Sequence, residues 1–302
     1  MVLRQFEYIL AIAQEGSVSK AAERLYMAQS SLSQFLQQFE ADLGVKLFLR
    51  TSKGLRPTHN GAIFIEHLQK LTLDYQRAQN ELWDNENLKG GRVRFGISSF
   101  RARNTLPRIL KLFSERYPSV QIDVFEENSM MLETLLMEGK LDLAVIAMPI
   151  SKVKAQFAPL KKDEILIVAK RDHPVMSLAR EREDGAGLWI DLKDAARFPF
   201  ILSDHTTMLG TIGRELFQKE KIPCDIRHGN ITADLAVHIA SQGLGLAFTY
   251  ESCVSPSGDA AFLRIGKSGL FLDLTLATPS GEYYSKAAQA LESVIREVYQ
   301  AD

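Results

Sequence analysis

The sequence predicts a multi-domain α+β protein in which a small helical module and one long helix precede an α/β region. Three observations predict it. Short amphipathic helices fill the first sixty residues, a helical pattern without proline covers residues 58–88, and strand and helix patterns alternate from Arg92 onward. The length of 302 residues fits two or three domains. Apolar residues make up 46% of the chain and charged residues 24%, which excludes disordered, collagenous and membrane proteins.

The first sixty residues carry a helix-turn-helix pattern. A first helix with apolar residues at helical spacing ends at Gly16. Ser19 is placed to cap a second short helix over Lys20–Leu25. The break Tyr26–Gln29 separates this helix from a third amphipathic helix, which ends at Gly44. Two helices, a tight break and a third helix predict a helix-turn-helix.

A β-hairpin wing is predicted after the third helix. Thr51–Gly54 form a turn between two short extended runs within Val45–Pro57. The formal net charge of −1 argues against a protein that binds nucleic acid over its whole surface. The segment Val45–Asn60, however, contains four basic residues and no acidic one. A local basic stripe on a neutral protein indicates a binding site, and a solvated hairpin is the alternative.

The outward face of the third helix carries residue types that can read the DNA major groove. Glutamine offers adenine a donor and an acceptor together, and serine can serve in either role. Polar helix faces are often only solvated, but a face directly after a helix-turn break is placed to enter the groove. The predicted DNA-binding residues on the helices are Ser19, Gln29, Ser30, Ser31, Ser33, Gln34 and Gln37. Phosphate contacts are predicted at Arg4, Arg50, Lys53 and Arg56.

Two residues of the third helix are unusual for this role. Ala28 stands at its N-cap and offers no side-chain acceptor, a loss of about 1 kcal/mol relative to serine. Phe35 flanks the apolar stripe, so it either packs inside or touches a thymine methyl group.

Residues 59–89 are predicted to form a linker helix that pairs two subunits. Its apolar residues recur in alternating steps of four and three, a 3.5-residue period held over almost three heptads. The alternative is a helix that lies on the core of its own domain. The predicted pairing residues are Phe64, Leu68, Leu71, Tyr75, Ala78 and Leu82. Lys89–Gly91 end the helix and mark a domain boundary.

From Arg92 onward the sequence predicts a parallel sheet with helices on its faces. The first part follows a βαβαβ order. Its predicted elements are the strands Val93–Ile97, Val120–Phe125 and Leu141–Ala147 and the helices Thr105–Arg116 and Met131–Glu138. A second set of strands and helices follows, and a helix over Ser285–Gln300 closes the chain.

The N-terminal motifs closely resemble the start of LysR-type transcriptional regulators. The resemblance rests on Gly16–Leu25, Gln29–Ser33, Phe39–Gly44, Leu47–Arg50, Lys53–Thr58 and Asn60–Gly61, and in the α/β region on Gly139–Ala144, His173–Pro174 and Gly243–Gly245. It implies a winged helix-turn-helix over residues 1–58, the linker helix 59–89 and a two-lobed α/β effector domain like periplasmic binding proteins. Lobe I would comprise residues 92–162 and 267–302, and lobe II residues 163–266. A homodimer or homotetramer on an operator in double-stranded DNA is also implied, with RNA polymerase as a candidate partner.

Polar residues follow three strands of the α/β region, where ligands of open sheets bind. The predicted effector-binding residues are Ser98, Ser99, Phe100, Arg101, Asn128, Ser129, Ser203, His205 and Thr206. Ordinary N-capping explains any one of these loops, and three together favour a shared pocket. Arg101, Arg103 and His205 indicate a small anionic metabolite, although either arginine could instead pair with a surface acid. Arg227 and His228 are weaker candidates.

Other classes of protein fit the sequence less well. No apolar stretch reaches the ~18 residues that span a bilayer, and the N-terminus has no signal-peptide pattern, which together predict a cytoplasmic protein. Cys224 and Cys253 cannot make a disulfide framework, but a redox-responsive regulator of the same fold remains an alternative. A solute-binding protein or an enzyme built on the α/β portion leaves residues 1–60 unexplained. The six histidines show no metal-ligand spacing, so no catalytic residue, metal or cofactor is predicted.

Overall fold

The computed structural model describes residues 2–52, 54–85, 90–147, 155–183, 185, 187–254, 258–279 and 283–300. The chain forms two compact units, residues 1–82 and 83–302. The predicted phosphate contact Lys53 lies outside the described residues, as does the predicted end of the linker helix at residues 86–89. No helix in the described ranges has the length and hydropathy that crossing a membrane requires.

The first unit is the predicted winged helix-turn-helix followed by a long helix. Its elements are α1 (Val2–Glu15), α2 (Val18–Arg24), α3 (Gln29–Leu43), β1 (Phe48–Thr51), β2 (Gly54–Pro57) and α4 (His59–Asn85). The core contains Ile9, Ile12, Leu32, Leu47 and Leu68, each at most 1% exposed. The last three residues of α4 belong to the second unit.

The predicted cap of α2 was wrong by two residues. Ser17, not Ser19, occupies the N-cap, and its hydroxyl accepts a hydrogen bond from the Lys20 N–H at 3.4 Å. Gly16 adopts a left-handed conformation with φ +57°, which ends α1 and leaves Ser17 extended directly after it. The second helix therefore begins at Val18 and leaves Ser19 exposed in its first turn.

The third helix has the predicted ends, and its aromatic residue packs inward. Ala28 is the N-cap and makes no side-chain capping bond, while Gly44 ends the helix with φ +68°. The ring of Phe35 lies 5.1 Å from that of Tyr8 and 5.5 Å from that of Phe39. Phe35 therefore joins α1 to α3 rather than facing DNA.

A buried carboxylate holds the wing against the helices. Glu40 is 6% exposed, and its Oε1 accepts from the backbone N–H groups of Leu47 at 2.8 Å and Phe48 at 3.1 Å. On the second strand, the Leu55 N–H donates to the Gly16 carbonyl at 2.7 Å. A side chain at Gly54 would place its Cβ 2.6 Å from that same carbonyl oxygen, so only glycine permits this approach.

The described part of the second unit contains two sheets that share one strand and a separate two-stranded sheet. Its elements are β3 (Arg92–Ile97), α5 (Ser99–Arg116), β4 (Gln121–Glu126), α6 (Ser129–Met137), β5 (Leu143–Ala147), β6 (Ala155–Lys170), β7 (Arg180–Glu181), β8 (Leu188–Ile190), α7 (Leu192–Ala195), β9 (Phe200–Ser203), α8 (Met208–Lys219), β10 (Ile226–Ile231), α9 (Ala233–Ser241), β11 (Ala247–Tyr250), β12 (Ala260–Ile265), β13 (Phe271–Pro279) and α10 (Lys286–Gln300). The first sheet has the order β4-β3-β5-β13-β6, and in the second β6 pairs with β11 and β12, followed by β8 and β7.

The predicted βαβαβ order and the two-lobed α/β fold are confirmed. Strand β3 is parallel to both β4 and β5. Parallel pairs also join β9 to β10 and β8 to β12, but β13 runs antiparallel to β5 and β6, so the expectation of a wholly parallel sheet was wrong. The sixteen-residue β6 pairs with β13 through Glu164 and then with β11 and β12. The sequence predicted only Glu164–Ala169 of this strand, because Lys161–Asp163 interrupt its apolar pattern.

Candidate functional site

The polar face of α3 is open to solvent in the first unit. Leu32 and Leu36 are buried, so the opposite face of the helix points outward. The exposed predicted contacts on the helices are Arg4, Ser19, Gln29, Ser30, Ser31, Gln34 and Gln37, whereas Ser33 is half-buried. The structure thus presents nearly all the predicted polar side chains on the surface.

The wing places basic side chains beside this face. Arg50 on β1 lies opposite Leu55, and Arg56 on β2 lies opposite Leu49, in an antiparallel pair. Both arginines are exposed, and neither forms an ion pair with any residue of the described ranges. Free guanidinium groups on a hairpin are suited to phosphate contacts.

The predicted pairing stripe of α4 is divided between core and surface. Leu68 is 1% exposed, and the Phe64 ring packs 5.9 Å from that of Phe39. These two residues lie on the core of their own unit, as the alternative interpretation of the helix expects, so they cannot form an outer pairing face. The stripe residues that stay exposed are Leu71, Tyr75, Ala78 and Leu82.

The second unit contains a cavity of about 530 Å³ at the ends of strands from both sheets. The N-termini of α5, α6, α8 and α9 open onto it, with the cap residues Ser98, Asn128, Thr207 and Thr232 in its lining. Asn128 and Thr207 cap their helices as the alternative expected, Thr232 caps α9, and Ser98 makes no capping bond. Four converging helix N-termini make the cavity electropositive at its backbone.

Arg101 lies at the buried side of the cavity. It is 2% exposed, and its Nη1 donates to Asp163 Oδ2 at 2.6 Å and to Ser252 Oγ at 3.3 Å. Its guanidinium carbon sits 3.7 Å from the centre of the Tyr250 ring. Burial works to lower the pKa of Arg101, but Tyr250 and Asp163 raise it, and the net shift is upward. The side chain is therefore a fixed positive charge.

One edge of this guanidinium is unused. The buried Nη2 of Arg101 has no hydrogen-bond partner among the described residues. Asp163, by contrast, is fully satisfied, because it also accepts from the Ser252 N–H at 3.0 Å and hydroxyl at 2.7 Å. A buried N–H group without a partner is costly, so Nη2 retains an unmet capacity to donate a hydrogen bond.

The other predicted effector contacts fall into two groups, those that line the cavity and those that do not. Ser99, Phe100, Ser129 and Thr206 line the cavity along with Ser98, Arg101 and Asn128. Ser203 does not, because its buried hydroxyl pairs with the Thr207 hydroxyl at 2.9 Å. His205 does not either: its side chain is 72% exposed and lies 3.6 Å from Asp204.

The remaining predicted cations do not add free charge to the cavity. Arg103, on its rim, forms an ion pair with Asp234 on α9. The alternative of pairing with a surface acid is thus realised for Arg103, whereas Arg101 pairs with a buried one. Arg227 and His228 are exposed on β10 and lie outside the lining.

The thiols do not support the redox alternative. Burial raises the pKa of Cys224 to about 11 and that of Cys253 to about 11. Both are therefore protonated near neutral pH, and the thiolate is the reactive form.

Comparison with known proteins decides the family. The model of the LysR substrate binding domain matches residues 86–300, and that of the bacterial regulatory helix-turn-helix protein, lysR family, matches residues 3–62. The chain belongs to the LysR family. This LysR-type chain is a DNA-binding transcriptional regulator with an effector-binding domain, and its family is one of regulators rather than enzymes.

Individual relatives are distant. The uncharacterized regulator YcgK of Bacillus subtilis is 28% identical over 211 residues, which cover 67% of this chain and 65% of that protein. A probable RuBisCO transcriptional regulator of Cyanophora paradoxa is 26% identical over 97% of this chain and 90% of its own length. Among solved structures, full-length CbnR in complex with its target DNA has a TM-score of 0.69 at 17% identity and covers 99% of this chain and 100% of that one. That likeness shows the same fold.

Sequence reasoning missed several residues that build this LysR-type cavity. Thr232 and Asp234 follow β10, and the Thr–x–x–hydrophobic start of α9 was a signal that could have added a fourth loop. No local signal marks Arg214, whose guanidinium donates to the carbonyls of Ser203 at 2.8 Å and Gly229 at 2.6 Å. Arg214 thus holds two of the cavity loops in place, although it is separated from both of them in the sequence.

Proposed function

We propose that this regulator binds its operator through the polar face of α3 and the basic wing, and that a small metabolite with an anionic group controls this binding from the cavity of the second unit. The DNA-binding domain spans residues 1–58, and the linker helix 59–89 joins two subunits. The effector cleft lies between lobe I, residues 92–162 and 267–302, and lobe II, residues 163–266.

The unused edge of Arg101 carries the effector proposal. The guanidinium is fixed by Asp163, Ser252 and the Tyr250 ring, Arg101 lines a cavity of about 530 Å³, and its Nη2 has no partner among the described residues. That size suits a small-molecule ligand. A carboxylate or similar anion would satisfy Nη2 with a charge-assisted hydrogen bond, and the helix N-termini would favour the same charge.

DNA binding combines two kinds of contact. Gln29, Ser30, Gln34 and Gln37 offer donors and acceptors to base edges, together with Ser19, Ser31 and Ser33 nearby. Arg4, Arg50, Lys53 and Arg56 neutralise phosphates, so the logarithm of the affinity should fall with the logarithm of salt concentration by about 0.9 for each phosphate contacted.

Ligand control follows from where the cavity lining comes from. Ala147 ends β5 of the first sheet, and Phe100 lies on α5, which follows β3 of the same sheet. On the other side, Tyr250 ends β11 of the second sheet, and Thr206 and Leu209 follow β9 of the two-stranded sheet. A ligand that contacts both sides binds one relative arrangement of the lobes better than another and shifts the population towards it.

Assembly and partners complete the proposal. The exposed residues Leu71, Tyr75, Ala78 and Leu82 form the dimer contact, and two dimers form a homotetramer in the cytoplasm. RNA polymerase is a further partner. These points are supported by membership in the family and by the unpartnered apolar residues on α4.

Calorimetric titration of the full-length protein tests the effector site. The probes are small carboxylates with apolar bodies, 4-methylpentanoate and 3-phenylpropanoate. Arg101→Lys keeps the charge beside Asp163 but removes the second edge of the guanidinium fork, so we expect binding about tenfold weaker or more. Gln218→Ala, an exposed site on α8, is the control and should bind as the unmodified protein does. Equal affinity in Arg101→Lys would contradict the proposal, and so would failure to bind of both carboxylates and of the amino acids L-leucine and 5-aminopentanoate.

A further inference from the structure

The charges around the cavity do not suit a simple anion. The ionisable residues in its lining are Arg101, Arg103, Glu127, Asp204 and Asp234. Both arginines already have carboxylate partners, Arg101 in Asp163 and Arg103 in Asp234. Glu127 and Asp204 therefore leave the cavity with an excess of negative charge.

Neither of these two acids forms an ion pair with a lysine or an arginine of the described residues, although Arg214 lies near enough to Asp204 to favour its charged form. The Glu127 side chain makes no ion pair or hydrogen bond there, and it is exposed at the end of β4, directly before the N-cap of α6. Asp204 accepts from the Thr206 N–H at 2.8 Å and hydroxyl at 2.7 Å, and these bonds lower its pKa, so it is ionised. The nearest basic ring is that of His205, which is mostly in solvent.

From this arrangement we infer that the effector is a zwitterion, an amino acid with an apolar body whose carboxylate binds Arg101 and whose ammonium group binds Glu127, with Asp204 adding to the field. The inference rests on the proposed function, because it concerns the same cavity. An anion alone would be attracted by Nη2 of Arg101 and repelled by the two acids, whereas a zwitterion is attracted by both.

The depth of each group orders the ligand. Arg101 is buried, and Glu127 is exposed on the rim, so the carboxylate lies inside the cavity and the ammonium group towards its mouth. The surface between them is mainly apolar and includes Phe100, Met208 and Tyr250. An ammonium group at the rim keeps part of its hydration, which limits the cost of binding it.

Matched pairs of ligands with the same carbon skeleton test the ammonium group alone. L-Leucine is compared with 4-methylpentanoate, and 5-aminopentanoate with pentanoate, by calorimetry on the full-length protein. We expect the amino member of at least one pair to bind about tenfold tighter or more, since a hydrogen bond between charged groups is among the stronger polar interactions. Using two spacings between the charged groups tests both a short and a long zwitterion.

Variants then assign that difference to a residue. Glu127→Gln should remove most of the advantage of the amino member and leave the affinity for its des-amino partner unchanged or higher. Glu126→Gln, an exposed acid next to it that lies outside the lining, is the matched control and should keep the advantage. Asp204→Asn should reduce the advantage by a smaller factor.

The outcomes separate the two proposals. If the carboxylates bind as tightly as the amino acids, the zwitterion inference is wrong and the anion site stands. If Glu127→Gln weakens both members of a pair equally, or if the advantage survives in Glu127→Gln and Asp204→Asn, the assignment of the ammonium site is wrong. If neither class binds the protein, the proposed effector function falls, and the inference falls with it.

Discussion

The two units present their functional side chains in opposite ways. In the DNA-binding unit, Gln34 and Arg56 are exposed on regular elements, and local periodicity is enough to place them. In the effector unit, Arg101 is buried, and its partners Asp163 and Ser252 lie 62 and 151 residues further along the chain. A substitution on the exposed face of the DNA-binding unit therefore affects a single side chain. A substitution among the charged groups of the cavity also affects the groups that they stabilise.

Removing the buried charge should have the largest effect on stability and should stay within the effector unit. Arg101→Met leaves the buried side chain of Asp163 without its cationic partner, at a cost of about 3–5 kcal/mol. Native-state hydrogen exchange should show large losses of protection in α5 and β6 and unchanged protection in α3. Equal protection of α5 in both proteins would show that the pair does not stabilise the unit.

Along α4 the same comparison can be made within one helix. Leu68→Ala should destabilise the first unit by about 2–5 kcal/mol, because Leu68 is in the core. Leu71→Asp should leave the unit folded, because Leu71 is 53% exposed, but should break the α4 contact and lower the oligomeric state in sedimentation experiments from tetramer to dimer or monomer. A folded Leu71→Asp protein that keeps the oligomeric state of the unmodified protein at micromolar concentration would place this contact elsewhere.

Variants of Glu40 test whether DNA binding by the exposed wing depends on the buried hydrogen bonds that hold the wing in place. Glu40→Ala leaves the N–H groups of Leu47 and Phe48 without their acceptor, at a cost of about 1–3 kcal/mol, and should weaken DNA binding by loosening the wing. Glu40→Gln keeps an acceptor oxygen and loses only the ion pair to the exposed Lys46, so its effect should be smaller. Chemical unfolding combined with DNA titration measures both. Identical behaviour of the two variants would show that the backbone bonds are unimportant.

The smallest effect is expected at the start of α3. Ala28→Ser supplies the missing cap and should stabilise the first unit by about 1 kcal/mol. The thermal transition of this unit should rise, and DNA affinity should be retained. A lower transition would mean that Ala28 is held in a geometry in which serine cannot cap the helix.

The sequence was sufficient for features that depend on local pattern. The helix-turn-helix, the wing, the apolar stripe of α4 and the βαβαβ order all follow from spacing and turn residues. It was insufficient where a residue has a distant partner. Arg101 was predicted as an effector contact and lies in the cavity lining, but its pairing with Asp163 could not be foreseen, because Asp163 belongs to the polar interruption that also hid the first part of β6. Leu68 fits the 3.5-residue period as well as Leu71 does, and only packing assigns one to the core and the other to the surface.

Fluorescence anisotropy with full-length protein and a DNA fragment recovered by affinity capture tests the DNA-reading face most directly. Gln34→Ala should weaken binding by about 1–3 kcal/mol while leaving the protein dimeric, because the proposed base contact would be lost and the exposed Gln34 is not part of the core. Gln218→Ala should bind as the unmodified protein does. Unchanged affinity in Gln34→Ala would contradict the account, since the exposed polar face of α3 would then not be what recognises DNA.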